Sequence, residues 1–125
     1  MGKKGFREFK VWQRAKDLAV KIYHLTKTSL LSKDYGLKEQ MQRSAVSVAC
    51  NIAEGYERNS DRDFVRFLMI SKGSLSELRT QLEIAHSVGY LSITQLEEFD
   101  EYCKILGAII TKLIQSRKGR FTNSP

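Results

Sequence analysis

Proline occurs once among the 125 residues, and it is the last of them, Pro125. Because proline removes a backbone N–H and clashes with the preceding helical turn, its absence leaves long helices free to run. The apolar residues use that freedom, recurring at steps of three and four along four segments. The first carries Trp12, Ala15, Leu18, Ala19, Ile22 and Leu25, and the second Leu37, Met41, Ala45, Val48 and Ile52. The third carries Phe64, Leu68, Leu75, Leu78, Leu82 and Ala85, and the fourth Phe99, Cys103, Leu106, Ile110 and Leu113. These patterns predict helices over about 10–28, 37–56, 61–87 and 93–116.

Local chemistry supports the boundaries. Ser60 is an N-cap residue followed by Asp61 and Asp63, acids that favour the positive end of a helix dipole. Gly89 with apolar Tyr90 reads as a left-handed helix stop, and Ser92 with Gln95 as a capping box opening the fourth helix. "RKGRFTNSP" lacks periodicity and reads as a fraying tail. Short connections between helices of this length imply one domain, all-α, an up-down-up-down four-helix bundle.

Two features bear on packing. Gly73 and Gly107 sit inside helices at a cost of about 1 kcal/mol each relative to alanine, and Ala45, Ala49 and Ala53 form a small-residue stripe. Close backbone approach is the expected compensation. The fourth helix also has more apolar surface than one core needs, since Tyr102, Ile105 and Ile109 widen its stripe. That excess predicts an oligomer with these three residues at the interface.

Charge is unevenly spread. Residues 1–43 hold eleven Lys/Arg against four Asp/Glu, residues 44–103 hold five against ten, and residues 104–125 hold five against none. An up-down bundle brings the start of its first helix and the end of its fourth to one pole. Lys3, Lys4, Arg7 and Lys10 should therefore approach Lys112, Arg117, Lys118 and Arg120, with Arg14 and Lys21 on the polar face of the first helix. Such a surface suits nucleic acid, RNA or DNA, bound through phosphates and largely without regard to sequence. The alternative reading is a protein-interaction module that docks an acidic partner.

Catalysis is not indicated. Asn51 and Glu54 are one helical turn apart, as are Ser74 and Glu77, but antiparallel helices two and three put the two pairs at different distances from their shared turn. With Gly55 and Gly73 these positions read as packing and register groups of a non-enzymatic protein. Cys50 and Cys103 lie in apolar helical patterns and read as buried thiols, and His24 and His86 as helix-end or surface residues. No metal or other cofactor is expected. The N-terminal stretch lacks the apolar run of a signal peptide and no segment reaches membrane-spanning length, so a cytoplasmic protein without membrane contact is expected.

In order and spacing, "VWQRAKDLAVKIYHLT", "YGLKEQMQRSAVSVACNIAEGYERNS" and "FVRFLMISKGSLSELRTQLEIAHSVGYL" resemble the small bacterial four-helix-bundle proteins encoded in intervening sequences of 23S rRNA genes. That family is similar to the accessory variability determinant of diversity-generating retroelements. The resemblance covers about Phe9 to Leu113, with NIAEG followed by GS-x-x-EL its most specific element. It implies a closed homopentameric ring with a basic surface and a nucleic-acid enzyme, such as a reverse transcriptase, as a partner. Gln42-Arg43 stands where two arginines are common in the family, which removes one charge from that face.

Overall fold

A computed structural model describes residues 5–28 and 30–122 of the chain. Four helices form the bundle: α1 Lys10–Thr26, α2 Tyr35–Tyr56, α3 Asp61–Ser87 and α4 Ile93–Thr122. Short 3₁₀ helices precede α1 at Gly5–Glu8 and α2 at Leu30–Lys33. Among the described residues there is no strand. Each helix lies antiparallel to the next, as the short connections require.

The caps form as their chemistry dictates. Ser60 accepts a hydrogen bond from the Asp63 amide at 3.1 Å. Ser92 and Gln95 bond reciprocally, the Gln95 amide to the Ser92 hydroxyl at 3.1 Å and the Ser92 amide to the Gln95 side chain at 2.9 Å. Gly89 takes a positive φ of 89°, which lets the Tyr90 amide reach back to the Ala85 carbonyl at 2.8 Å and close α3. The Tyr90 hydroxyl then donates to Asp34 at 2.9 Å, and Asp34 also caps α2 by accepting from the Leu37 amide. One turn is thereby tied to the start of another helix, and this bond raises the Tyr90 pKa because ionisation would remove the donor.

Several boundaries differ from the sequence reading. Helix α1 stops at Thr26 and α2 starts at Tyr35, because Asp34 supplies a cap just before it. Between α1 and α2, Leu31 lies 1% exposed and plugs that end of the core. The largest difference is α4, which runs to Thr122 instead of fraying after Ser116. Its last turns are held from outside the helix: Phe121 lies under the Arg62 guanidinium, and Arg117 covers the Phe64 ring.

Inside, Leu18, Ile22, Met41, Val48, Ile52, Leu68, Leu78, Leu82, Leu106 and Ile110 are fully buried. The α2–α3 seam is polar as well as apolar. Ser71 donates to the Val48 carbonyl at 2.8 Å, and the Ser47 and Ser74 hydroxyls bond each other at 2.8 Å. Asn51 donates to both the carbonyl and the hydroxyl of Ser47. Asn51 and Ser74 are thus members of one chain through Ser47, a link that the distance-from-the-turn argument missed.

Glycine placement is also corrected. Close approach occurs at Gly55, where a Cβ would stand 2.8 Å from Phe64 Cδ1 and 2.9 Å from Phe67 Cβ. At Gly73 a Cβ would meet nothing within 4 Å, so no contact within the protomer explains that glycine. Gly107 is intermediate, with Leu75 at 3.4 Å. Cys103 is buried, which pushes its thiol up to about 12, but Cys50 is exposed. The core direction of α2 is set by Met41, Ala45, Val48 and Ile52, and Cys50 sits half a turn from it.

Candidate nucleic-acid interface

The start of α1, the α2–α3 turn and the end of α4 meet at one pole of the bundle. An aromatic knot joins them: Phe9 packs on Tyr56 at 5.2 Å and on Phe64 at 6.0 Å between ring centroids. Around this knot guanidinium groups lie over aromatic rings. Arg117 sits 4.9 Å from the Phe64 centroid and Arg62 4.6 Å from that of Phe121. Arg58 and Arg66 share Phe67 at 4.8 and 4.6 Å, and Arg7 lies 4.8 Å from Phe6. A guanidinium is attracted to the negative face of a ring, and one held there can still turn N–H donors to an anion.

Carboxylates are interspersed. Asp61 accepts from Arg117 at 3.1 Å and lies 3.5 Å from Arg120, while Glu54 pairs with Arg58 at 3.0 Å and Asp63 with Arg66 at 3.6 Å. The Arg58 and Arg66 pairs are exposed, so each contributes little to stability and yields easily to a stronger anion. Asp61 is different: at 28% side-chain exposure and shared by two arginines, it fastens the end of α4 to the start of α3.

The charged residues singled out from the sequence divide into four groups. Arg117 and Arg120 meet on Asp61 at the pole, Lys118 follows Arg117 in the last turns of α4 and Arg7 and Lys10 stand on either side of Phe9 in the sequence, whereas Lys3 and Lys4 lie outside the described residues. Arg14 and Lys21 are elsewhere, both over the Tyr102 ring at 5.4 and 5.5 Å in the groove between α1 and α4. Lys112 is exposed and half a turn out of phase with Arg117. Arg58, Arg62 and Arg66 were missed because they belong to a segment whose total charge is acidic. The signal was present in "RNSDRDFVRF", where arginines alternate with aromatics.

The residues assigned to an oligomer interface also separate. Tyr102 is half-buried, and its hydroxyl donates to the Arg14 carbonyl at 2.9 Å, so it braces α4 against α1 of its own protomer. Burial raises its pKa, with the nearby Arg14 charge opposing the rise. Ile109 packs against the core, and Ile105 is 42% exposed. Of the motif residues, Asn51, Gly55 and Ser74 act inside the α2–α3 seam, Glu54 holds Arg58, and Gly73 and Glu77 face outward. His86 is a helix-end residue, its Nδ1 2.9 Å from the Leu91 carbonyl.

The sequence pattern of the 23S rRNA-intervening sequence proteins matches residues 7–112. The chain belongs to this family. Its fold is also that of a crystal structure of a protein of unknown function from the S23 ribosomal protein family of Bacteroides thetaiotaomicron. The two align with a TM-score of 0.79 at 23% identity over 84% of this chain and 95% of the other, a likeness of fold. No curated protein matches the chain. Among the described residues no helix is long and apolar enough to cross a membrane, and no group of three or more His, Cys, Asp or Glu side chains is placed to hold a metal ion.

Proposed function

We propose that this member of the family is a non-enzymatic, oligomeric scaffold that binds RNA or DNA through its basic pole and serves a nucleic-acid enzyme such as a reverse transcriptase in the cytoplasm. The observation that carries this reading is the set of arginines held over aromatic rings at the pole, Arg7, Arg58, Arg62, Arg66 and Arg117. Planar donors held in place lose little freedom on meeting a phosphate, and Arg matches phosphate geometry with two N–H bonds. Phosphate contacts confer affinity without sequence information, so the binding is largely sequence-independent. A ring of copies, a pentamer by the resemblance to the accessory variability determinant, repeats the pole around one rim and multiplies the contacts. The non-enzymatic reading rests on the polar side chains of NIAEG and GS-x-x-EL: Asn51 and Ser74 each bond Ser47, Glu54 holds Arg58, and Glu77 faces solvent singly.

A competing occupant is an acidic protein surface, favoured by the carboxylates that already meet these arginines at Asp61, Glu54 and Asp63. Titration with duplex DNA and RNA at rising salt separates the two. The proposed reading predicts binding to both at low salt, weakening steeply as salt rises. An absence of binding to either leaves the acidic protein as the partner.

A further inference from the structure

Two residues of GS-x-x-EL have no task inside the protomer. Gly73 is exposed in mid-helix with open space around it, although glycine there costs about 1 kcal/mol relative to alanine. Glu77, one turn on, is exposed and has no ion-pair partner among the described residues. Ile70 and Ile84 lie on the same stripe of α3, 45% and 47% exposed. Two isoleucines, an open glycine and a lone carboxylate thus make a ridge along the outside of the bundle.

The same chain carries a groove to match. Between α1 and α2 lies a cavity of about 430 Å³ whose walls are apolar, formed by Trp12, Ala19, Val20, Tyr23, Val46 and Ala53. Val20, Tyr23 and Val46 are 44%, 41% and 37% exposed. Lys16 stands on its rim, exposed and without an ion-pair partner among the described residues. Apolar surface of this kind on a soluble helix bundle is ordinarily covered.

Resting on the oligomeric reading above, we propose that the α3 ridge of one copy seats in the α1–α2 groove of the next, with Glu77 facing Lys16 of the neighbouring copy. Ile70 and Ile84 fill the groove, and Gly73 lets the α3 backbone approach its wall. The occupant is a second copy because this chain itself presents the complementary shape and the opposite charge. Since the two surfaces differ, every joint is head-to-tail, the kind of contact that closes into a ring when its rotation permits.

The test uses two variants at exposed positions, Val46→Arg in the groove and Ile70→Arg on the ridge, with light scattering after gel filtration and circular dichroism to check folding. Each variant alone has no intact joint and runs as a folded monomer. An equimolar mixture has one intact joint per pair, so it forms heterodimers and nothing larger. Lys16→Glu and Glu77→Lys each weaken assembly, and the double variant restores it. A wild-type oligomer whose mass survives in either single arginine variant, or a mixture that stays monomeric, overturns the joint while leaving an oligomer in place. A monomeric wild type overturns both readings.

Discussion

The two glycines Gly55 and Gly73, both inside helices, should respond in opposite directions to the same substitution. In Gly55→Ala the new methyl group stands 2.8 Å from Phe64 Cδ1, 2.9 Å from Phe67 Cβ and 3.3 Å from the Phe64 carbonyl oxygen. The last two atoms move only with the α3 backbone, so relief requires α2 and α3 to part. Overpacking of this kind costs about 2–3 kcal/mol, against which better helix propensity returns at most about 1 kcal/mol. The net loss of about 1–2 kcal/mol lowers Tm by roughly 5 °C in a chain of this length. In Gly73→Ala the methyl meets nothing, and only the propensity gain of about 1 kcal/mol remains, raising Tm by roughly 4 °C. Thermal unfolding followed by far-ultraviolet circular dichroism, on the Val46→Arg background so that assembly makes no contribution, reads both shifts. A Gly55→Ala protein as stable as its parent, or two shifts of the same sign, refutes the packing argument.

Other consequences are smaller in scope. Alkylation of the folded Val46→Arg protein, whose α1–α2 groove is uncovered, should label Cys50 only, with Cys103 labelled after denaturation, because exposure separates the two thiols. Stability should fall as pH rises from about 9 towards 12: the folded Cys103 thiol titrates near 12 against 9.0 when unconstrained, so the unfolded state loses its proton first and is favoured across that window. Cys103→Ala should flatten this part of the melting-temperature profile, and an unchanged slope refutes the assignment. Tyr102→Phe removes the bond to the Arg14 carbonyl and should cost about 1 kcal/mol in chemical denaturation. Ser60→Ala should cost a similar amount, about 1 kcal/mol, through the lost cap of α3.

What was legible in the sequence was whatever depends on neighbours along the chain. Caps such as Ser60 and Ser92, the Gly89 stop and the stripes led by Leu18, Val48, Leu78 and Leu106 act within one or two turns, so spacing alone reveals them. The last turns of α4 depend on Arg62 and Phe64 of a distant helix, and no local pattern announces them. The same limit applies to the interface. Segment totals record the basic chain ends but hide Arg58, Arg62 and Arg66 behind neighbouring acids, and only the fold brings them over Phe67 and Phe121. Arg14 and Lys21 lie away from the pole, since helical phase turns them towards Tyr102. Glycine was ambiguous for a related reason: composition cannot distinguish Gly55, pressed by two phenylalanines, from Gly73, which touches nothing.

If the basic pole binds phosphates, the affinity for duplex DNA must fall steeply with salt. Each phosphate neutralised on duplex DNA contributes about 0.9 to the slope of log K against log salt. Wild-type protein should give a steep straight line on duplexes of unrelated sequence. Changing Arg7, Lys10, Arg58 and Lys118 together to Gln, which leaves Arg62 over Phe121 and Arg117 on Asp61, should reduce both affinity and slope with helix content unchanged. Binding that is absent at low salt, or a slope that the four changes leave intact, contradicts the account.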